Sequence, residues 1–366
     1  MDKKINLSEV DLFRFWSPEV RKLQPYQPGE QPKNQKFIKL NTNENPYPPS
    51  PLVSIAVQQV LGTNAEILRL YPDPDAKDLR EIIALQQGLN SDEVFIGNGS
   101  DEVLAFIFKA FFLHPNRPIL YPDISYSFYP VYCQFYGLNS IVIPVNKNFE
   151  ISPTDYHREN CGIIIANPNA PTGIALSLSQ IESILISNRD SVVVIDEAYV
   201  DFGAESATKL IHRYDNLVVC QTTSKSRSLA GLRVGFAMAQ PHLITALDRV
   251  KNSFNSFPID SLAIAAAYAS FKDQSYFEKM CQHIMDEREK LCNNMKQIGF
   301  SILPSKANFI FAYHEKHDGA QLAFKLKQHG ILVRHFNKPR INNFLRISIG
   351  SHEDNLILIK ILKELV

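Results

Sequence analysis

The chain contains short apolar runs that do not alternate with polar residues, and each run ends in a polar turn. The three clearest runs cover 162–166, 191–195 and 217–220. Runs of this kind predict strands buried on both faces, as in a parallel sheet. A helical pattern over 178–187 separates the first two, so the sequence predicts βαβ units and an α/β fold. Ligands of such sheets bind beyond the carboxyl ends of the strands.

The pattern changes near residue 253, where a segment with Phe and Pro interrupts regular structure. The other predicted elements are helices over 52–68, 76–89, 260–298 and 319–329, a terminal helix, and strands over 37–40, 94–96, 119–120, 307–311, 331–334 and 344–349. We therefore predict an N-terminal arm over 1–50 that contributes to the active site and to the small domain. A large cofactor-binding domain is predicted over 51–255, and a small C-terminal domain over 256–366.

Composition and charge narrow the function classes. The chain has 366 residues, 45% of them hydrophobic and 21% charged, with a formal net charge of zero. Such a balance favours neither nucleic acid nor an anionic membrane as a partner. The five cysteines include no Cys-x-x-Cys pair and lie in or beside apolar runs, which indicates core thiols and no metal site. We expect a cytoplasmic protein without a signal peptide or a membrane span.

A lysine follows the third strand in a turn rich in hydroxyl groups. Lys225 is flanked by Thr222, Ser224 and further serines, and Arg233 follows eight residues later. A lysine in this position suits covalent binding of an aldehyde cofactor through its amine. Thr222, Ser224 and Arg233 would then bind the cofactor's phosphate. The alternative interpretation is a solvated basic loop.

A second anion site is predicted where strand 94–96 meets a glycine turn and a helix. Free backbone N–H groups at such a helix start bind anions. A dinucleotide motif is excluded because Glu102 occupies the place of the third glycine. We predict that Gly99, Ser100 and Asp101 form one side of the phosphate site. Alternatively, Asp101 and Glu102 only stabilise the positive end of the helix.

Three segments carry a resemblance to a known family. The segment over 224–235, Ser-Lys-Ser-Arg-Ser-Leu-Ala-Gly-Leu-Arg-Val-Gly, resembles the cofactor-lysine segment of pyridoxal-phosphate aminotransferases with the aspartate aminotransferase fold. Pro-Tyr-Gln-Pro-Gly-Glu over 25–30 and Leu-Asn-Thr-Asn-Glu-Asn-Pro over 40–46 narrow the resemblance to the histidinol-phosphate aminotransferase family. It runs from about Leu23 to the C-terminus. It implies fold type I: a mostly parallel seven-stranded sheet between helices, plus a smaller α+β C-terminal domain.

The resemblance implies roles for the residues at the strand ends. Lys225 would hold pyridoxal 5'-phosphate and act as general acid and base. Asp196, an acid that costs free energy at the end of an apolar strand unless it is paired, would bind the protonated pyridine nitrogen. Tyr199 would donate a hydrogen bond to the ring's phenolic oxygen. The usual asparagine that shares this task is Ala170 here, so either Asn169 substitutes for it, the interpretation we favour, or Tyr199 acts alone.

Two tyrosines have implied cofactor contacts. Tyr126 would stack on the pyridine ring, although neighbouring Tyr129 could be confused with it and the loop could be a packing loop. Tyr71 would reach the cofactor phosphate of a partner subunit, which implies a homodimer. Without the resemblance, Tyr71 would be interpreted as an ordinary loop residue.

Substrate contacts are implied for two arginines and for the arm. Arg346 lies between apolar residues, where a guanidinium is costly without an anion, and Arg334 would be a second anion contact. The alternatives are a structural ion pair for Arg346 and a surface charge for Arg334. Tyr26 and Asn43 would lie near an imidazole ring.

The implied activity is a transamination of histidine biosynthesis that runs in two half-reactions through the pyridoxamine form of the cofactor. L-Glutamate and 2-oxoglutarate would be one substrate pair, and histidinol phosphate and its ketone the other. The alternatives are an aromatic amino-acid aminotransferase, a threonine-phosphate decarboxylase and, remotely, a non-catalytic cofactor-binding regulator. Residues 1–22 are too short for the DNA-binding module that such a regulator needs.

Overall fold

The computed structural model describes residues 14–31 and 37–366. Within these ranges the chain forms two sheets with helices packed against them. The strands are β1 (Ile38–Leu40), β2 (Val94–Asn98), β3 (Ile119–Pro122), β4 (Ser140–Ile143), β5 (Gly162–Ala166), β6 (Val192–Asp196), β7 (Leu217–Thr222), β8 (Val234–Ala239), β9 (Phe300–Ile302), β10 (Phe309–His314), β11 (Ile331–His335) and β12 (Leu345–Ser348). The α-helices are α1 (Pro18–Lys22), α2 (Pro51–Leu61), α3 (Lys77–Gln87), α4 (Gly99–Phe111), α5 (Tyr129–Tyr136), α6 (Leu178–Ser187), α7 (Pro241–Asn252), α8 (Ser261–Lys272), α9 (Gln274–Gln297), α10 (Gly319–Gln328) and α11 (His352–Leu365).

The larger sheet has the strand order β2-β8-β7-β6-β5-β3-β4. Strand β8 is antiparallel to both neighbours, and the other neighbouring pairs are parallel. This confirms the predicted seven-stranded, mostly parallel sheet. The carboxyl ends of β5, β6 and β7 lie side by side, with Ala166 paired to Asp196 and Asp196 paired to Cys220.

Both faces of this sheet are covered, because successive strand residues point to opposite sides. Ile163 and Ile165 of β5 pack with α3, α6 and α8 on one face. Ile164 packs with α4, α5 and α7 on the other. Helix α6 begins at a capping box, in which Ser177 and Gln180 exchange hydrogen bonds. The result is a three-layer α/β arrangement.

The smaller sheet has the order β1-β11-β12-β10-β9 and packs against α9, α10 and α11. Strand β1 comes from the N-terminal arm and pairs in parallel with β11, with Ile38 opposite Ile331. The arm is therefore anchored to an element almost 300 residues away in sequence, and it passes the ends of the larger sheet's strands before α2.

Two predicted helices differ from the observed ones. The predicted helix over 52–68 is wrong beyond Leu61, since Gly62 ends α2 with a φ of 57° and a separate 3-10 turn, Glu66–Arg69, follows. The predicted helix over 260–298 is two helices separated at Asp273, whose side chain caps α9. Strands β4, β8 and β9 were not predicted. The first part of the predicted arm, 1–13, and its segment 32–36 lie outside the described residues.

The described residues also bear on membrane association. Among residues 14–31 and 37–366, no helix is both long and apolar enough to cross a membrane. All five cysteines are free thiols, and four of them are buried.

Candidate active site

A cavity of about 430 Å³ lies at the carboxyl ends of β6 and β7, between the two sheets and the arm. Predicted site residues form much of its wall: Tyr26, Asn43, Ser100, Asp101, Tyr126, Asp196, Tyr199, Thr222, Ser224, Lys225, Arg233, Arg334 and Arg346. Three predicted residues are not in its lining: Tyr71, Gly99 and Asn169. The cavity therefore gathers groups from the arm, the larger sheet and the smaller sheet.

Lys225 stands in the turn after β7 and contacts the arm at two points. Its Nζ donates a hydrogen bond to the carbonyl of Thr42 at 3.1 Å. Its own carbonyl accepts a hydrogen bond from Asn45 Nδ2 at 3.2 Å. The Nζ lies 5.9 Å from the centre of the Tyr199 ring. The amine thus faces the cavity while the arm fixes the turn behind it.

Asp196, the last residue of β6, is buried at the cavity floor. Its Oδ2 accepts a hydrogen bond from Tyr129 at 2.9 Å, and its Oδ1 accepts one from the Ala198 amide at 3.3 Å. Burial raises the pKa of the Asp196 carboxyl to about 6, although both hydrogen bonds lower it. Within the described residues no basic side chain pairs with Asp196. A cation placed in the cavity would offset this cost.

The two candidate tyrosines have different positions. Tyr129 is fully buried beneath the cavity, where its hydroxyl is bonded to Asp196. Tyr126 lines the cavity, and its hydroxyl donates to Asp101 Oδ1 at 3.1 Å. Burial raises the pKa of the Tyr126 phenol well above its usual value. Tyr126 is therefore the ring available for stacking on a ligand.

A cradle for an anion lies where α4 begins beside β8. Gly99 has a φ of 77°, and a Cβ there would overlap the Arg233 guanidinium. A Cβ on Gly235 would overlap the backbone nitrogen of Ser100. The two glycines let the arginine approach the helix start, where backbone N–H groups favour negative charge. Hydroxyl groups from the end of β7 complete the cradle, which fits a phosphate.

Asp101 contributes to this cradle indirectly. Its Oδ2 accepts from Arg233 Nη2 at 2.8 Å, so the carboxylate orients the guanidinium. A carboxylate repels a phosphate, and the Asp101 side chain is therefore no phosphate ligand itself. The backbone N–H at the first turn of α4 is the group that Asp101 can offer to an anion.

The structure places the Asn169 amide in contact with the loop before α5. The Asn169 Nδ2 donates to the Ile124 carbonyl at 2.8 Å, and its Oδ1 accepts from Ser125 Oγ at 2.9 Å. These bonds hold the amide outside the cavity wall. Ala170 lines the cavity there without a polar group. The geometry instead favours Tyr199 as the group that acts alone.

Two arginines from the smaller sheet face the cavity without acidic partners in the described residues. Arg346 of β12 and Arg334 of β11 lie opposite each other. Arg346 Nη2 donates to the Asn41 carbonyl at 2.8 Å, whereas its buried Nε has no hydrogen-bond partner in the part of the chain that the structure describes. Burial lowers the pKa of Arg346, and the charge of Arg334 lowers it further. Arg334 donates weakly to backbone carbonyls of the arm. Both guanidinium groups can take an anionic ligand.

Tyr71 lies on the surface and not at this chain's cavity. Its side chain is 83% exposed and stacks on Phe257, with ring centres 4.7 Å apart. Other exposed apolar side chains lie near it in sequence or beside Phe257: Leu68, Leu70 and Phe254. Such a patch is typical of a surface that another chain covers.

Comparison with known proteins places the chain in a family. The model of the family "Aminotransferase class I and II" matches residues 35–362. The chain is 67% identical over 351 residues to histidinol-phosphate aminotransferase of Acinetobacter baumannii (strain AYE), a match that covers 96% of this chain and 97% of the relative. The chain belongs to the histidinol-phosphate aminotransferase family.

Other similar proteins agree with this placement. Histidinol-phosphate aminotransferase 1 of Pseudomonas fluorescens is 56% identical, over 96% of this chain and 99% of the relative. The crystal structure of histidinol-phosphate aminotransferase from Sinorhizobium meliloti in complex with pyridoxal-5'-phosphate aligns with a TM-score of 0.83 and 22% identity, covering 97% and 100% of the two chains. At this identity the structural likeness shows the fold, which confirms the predicted aminotransferase architecture.

Some residues around Lys225 were not predicted as part of the site. The Thr42 carbonyl and the Asn45 amide contact the lysine, and Glu44 lines the cavity beside them. The only feature of the sequence that could have identified these three residues is that they belong to the arm motif over 40–46. The motif drew attention to Asn43, but sequence alone does not indicate that the arm reaches the lysine turn. No cluster of potential metal ligands occurs among the residues that the structure describes.

Proposed function

We propose that this protein is a pyridoxal-phosphate-dependent transaminase. It interconverts L-histidinol phosphate plus 2-oxoglutarate and imidazole acetol phosphate plus L-glutamate, a step of L-histidine biosynthesis. The observation that carries this proposal is the meeting of Lys225, Asp196 and two arginines, which have no acidic partner among the described residues, in one cavity. The high identity to relatives named histidinol-phosphate aminotransferase supports the choice of substrates.

The residues in the cavity fit the cofactor. Backbone N–H groups at Gly99 and Ser100, with Thr222, Ser224 and Arg233, would hold its phosphate. Tyr126 would stack on the ring. Asp196 would pair with the pyridine nitrogen, and its raised pKa supports the need for a cationic partner. When bound, the cofactor supplies a ring that accepts the electrons released when the C–H bond at the substrate's α-carbon breaks.

Lys225 would first hold the cofactor covalently and then, once the substrate amine has displaced it, carry the proton. When free, its Nζ would act as general base for the proton at the substrate's α-carbon and as general acid when that proton is returned. The Tyr199 hydroxyl would donate a hydrogen bond to the phenolic oxygen of the cofactor ring. The Thr42 carbonyl beside Nζ keeps the amine oriented towards the cavity.

The arginines explain how one pocket accepts two unlike substrates. A carboxylate of glutamate and the phosphate of histidinol phosphate are both ligands for a guanidinium fork. Arg346, whose Nε has no partner within residues 14–31 and 37–366, would bind the anion most directly, and Arg334 would assist. Tyr26, which packs against Phe128 with ring centres 5.0 Å apart, would contact the imidazole ring.

We infer a homodimer in which Tyr71 reaches the partner subunit's cofactor phosphate. The exposure of Tyr71 and the apolar patch around it support this assembly. Light scattering that gave a monomer mass would contradict it.

We also infer a cytoplasmic location, which the free thiols support. The division into an arm over 1–50 and domains over 51–255 and 256–366 is likewise proposed.

The test of this function uses the purified protein with pyridoxal phosphate, glutamate and imidazole acetol phosphate, with phenylpyruvate as a competing ketone. We expect amination of the phosphate substrate to dominate, and no release of carbon dioxide from threonine phosphate. Preference for phenylpyruvate, or carbon dioxide release, would contradict the proposal. The variant Lys225→Ala should abolish turnover, and a Lys225→Ala protein that transaminates at the normal rate would refute the role of the lysine.

A further inference from the structure

The Tyr199 hydroxyl has a single hydrogen-bond partner within the described residues, and that partner belongs to the arm. Asn43 Nδ2 donates to the Tyr199 oxygen at 3.1 Å. The rest of the Tyr199 ring packs against apolar side chains, namely Ala170, Ala307 and Phe309. None of these side chains can accept the tyrosine proton. Asn43 is therefore the group that determines where this proton points.

Asn43 itself is held rigidly. Its backbone N–H donates to Ser348 Oγ at 2.9 Å, and its carbonyl accepts from Asn308 Nδ2 at 3.0 Å. Its φ of 55° lies in the left-handed region, which asparagine tolerates better than most residues. Its side chain is almost fully buried. Asn43 thus has little freedom to turn its amide towards a substrate.

The Ser348 hydroxyl also fixes which way the amide faces. Ser348 Oγ accepts the Asn43 N–H, so its own proton is free to be donated, and Asn43 Oδ1 lies 2.9 Å away as the acceptor. With Oδ1 used by Ser348, the Nδ2 group is the one that faces Tyr199. The Tyr199 oxygen consequently accepts a hydrogen bond, and its proton remains to be donated into the cavity.

We propose that Asn43 is a positioning residue that acts through Tyr199: its amide directs the Tyr199 proton towards the phenolic oxygen of the bound cofactor. This inference rests on the proposed function and changes the role predicted for Asn43 from the sequence, which was a direct contact with the substrate. Because Ser348 and Asn308 hold Asn43, the hydrogen bond from Asn43 to Tyr199 also connects the smaller sheet to the cofactor site.

The proposal predicts a spectroscopic effect. A hydrogen bond donated to the phenolic oxygen weakens that oxygen's attraction for the proton on the neighbouring Lys225 nitrogen, so the proton leaves at lower pH. Loss of this hydrogen bond should move the pH midpoint of the bound cofactor's visible absorbance upward. The other charged or titratable groups facing Tyr199 are Lys225 from the turn, Arg346 from β12 and Tyr126 from the loop before α5. The variants below leave all three in place.

The experiment is a double-mutant cycle on the protein loaded with pyridoxal phosphate. Asn43→Gly removes the amide, adds no charge and tolerates the positive φ. We expect its absorbance midpoint to rise by roughly half to one pH unit, the effect of one ordinary hydrogen bond. In the Tyr199→Phe background, the same change should move the midpoint no further, since the two residues act in series. Asn160→Ala, which changes a buried asparagine outside the cavity lining that is bonded to the Arg158 carbonyl and to Asn188, is the matched control and should leave the midpoint unchanged.

A second variant keeps the inference testable if Asn43→Gly does not fold. Asn43→Asp retains the shape and the Ser348 contact but accepts the Tyr199 proton, so its midpoint should rise further than that of Asn43→Gly. Equal shifts from Asn43→Gly with and without the Tyr199 hydroxyl, or no shift in either background, would overturn the inference. If the unaltered protein acquires no visible absorbance with pyridoxal phosphate, the proposed function itself is contradicted. If the unaltered protein does acquire it but the variants do not shift as stated, only the inference about Asn43 is contradicted.

Discussion

Arg346 lines the cavity, and its buried Nε has no hydrogen-bond partner among the described residues, which is a residue-level sign of an anionic ligand. The guanidinium lies 5.5 Å from the Phe309 ring centre and 5.6 Å from that of Phe336, with one hydrogen bond to the backbone. An unsatisfied charged group of this kind costs free energy until an anion binds. The carboxylate or phosphate of a substrate would provide that anion.

Replacing Arg346 by alanine should reduce kcat/KM for glutamate and for histidinol phosphate alike. Loss of a charge-assisted bond of about 3 kcal/mol corresponds to roughly a hundredfold loss. Arg346→Lys keeps the charge but loses the planar fork, and should recover only part of the activity. Steady-state kinetics of both substrates measure the effect, with cofactor absorbance as the control for folding. An unchanged kcat/KM in Arg346→Ala would show that Arg346 does not bind the substrates.

At the residue scale, sequence reasoning identified the groups whose surroundings are local. Lys225 and Asp196 follow directly from a strand end and a polar turn, and both line the cavity. The sequence does not indicate that the Asn169 amide bonds to the loop at Ile124 and Ser125, because this contact joins segments about 45 residues apart. The link from Asn45 to Lys225 spans 180 residues and has no local signal.

At the scale of elements, the close approach of β8 to the start of α4 shapes the phosphate cradle. Gly235 pairs with Gly97 of β2 on one side and with Thr222 of β7 on the other. The backbone at the start of α4 occupies the space that a side chain at position 235 would need. A methyl group there would meet backbone atoms, which cannot move aside as a flexible side chain can.

The variant Gly235→Ala should therefore weaken pyridoxal phosphate binding by roughly five- to a hundredfold, because displacing the start of α4 costs on the order of 1–3 kcal/mol. Ala237→Gly on the same strand is the matched control. It should lower the free energy of unfolding by roughly 0.5–1 kcal/mol through strand flexibility while leaving cofactor affinity unchanged. Titration of the apo-proteins with the cofactor and denaturant unfolding separate the two effects. Equal affinities of Gly235→Ala and the unaltered protein would contradict this account of the cradle.

The elements that sequence predicted best are the ones that packing determines most completely. Strands β5, β6 and β7 each contain an apolar run because both faces of the sheet are covered, so the sequence pattern identifies them. Strand β4 lies at the sheet edge and is largely exposed, and β8 contains small residues. The apolar run of β4 is only three residues long, and the glycine and alanines of β8 give it no strong strand pattern.

At the scale of the whole molecule, three distant parts of the chain meet at one cavity. The arm supplies Tyr26 and Asn43, the larger sheet supplies the lysine and the aspartate, and the smaller sheet supplies the arginines. Pairing of β1 with β11 holds the arm in this position. The central claim is that this assembly exists to hold pyridoxal phosphate on Lys225.

Borohydride reduction tests that claim directly. Reduction converts the link between a lysine and an aldehyde cofactor into a stable secondary amine, which peptide mapping by mass spectrometry can locate. After loading with pyridoxal phosphate and reduction, the added mass should lie on the peptide that contains Lys225 and at that residue alone. An adduct on another lysine, or no adduct on a fully loaded protein, would contradict the account.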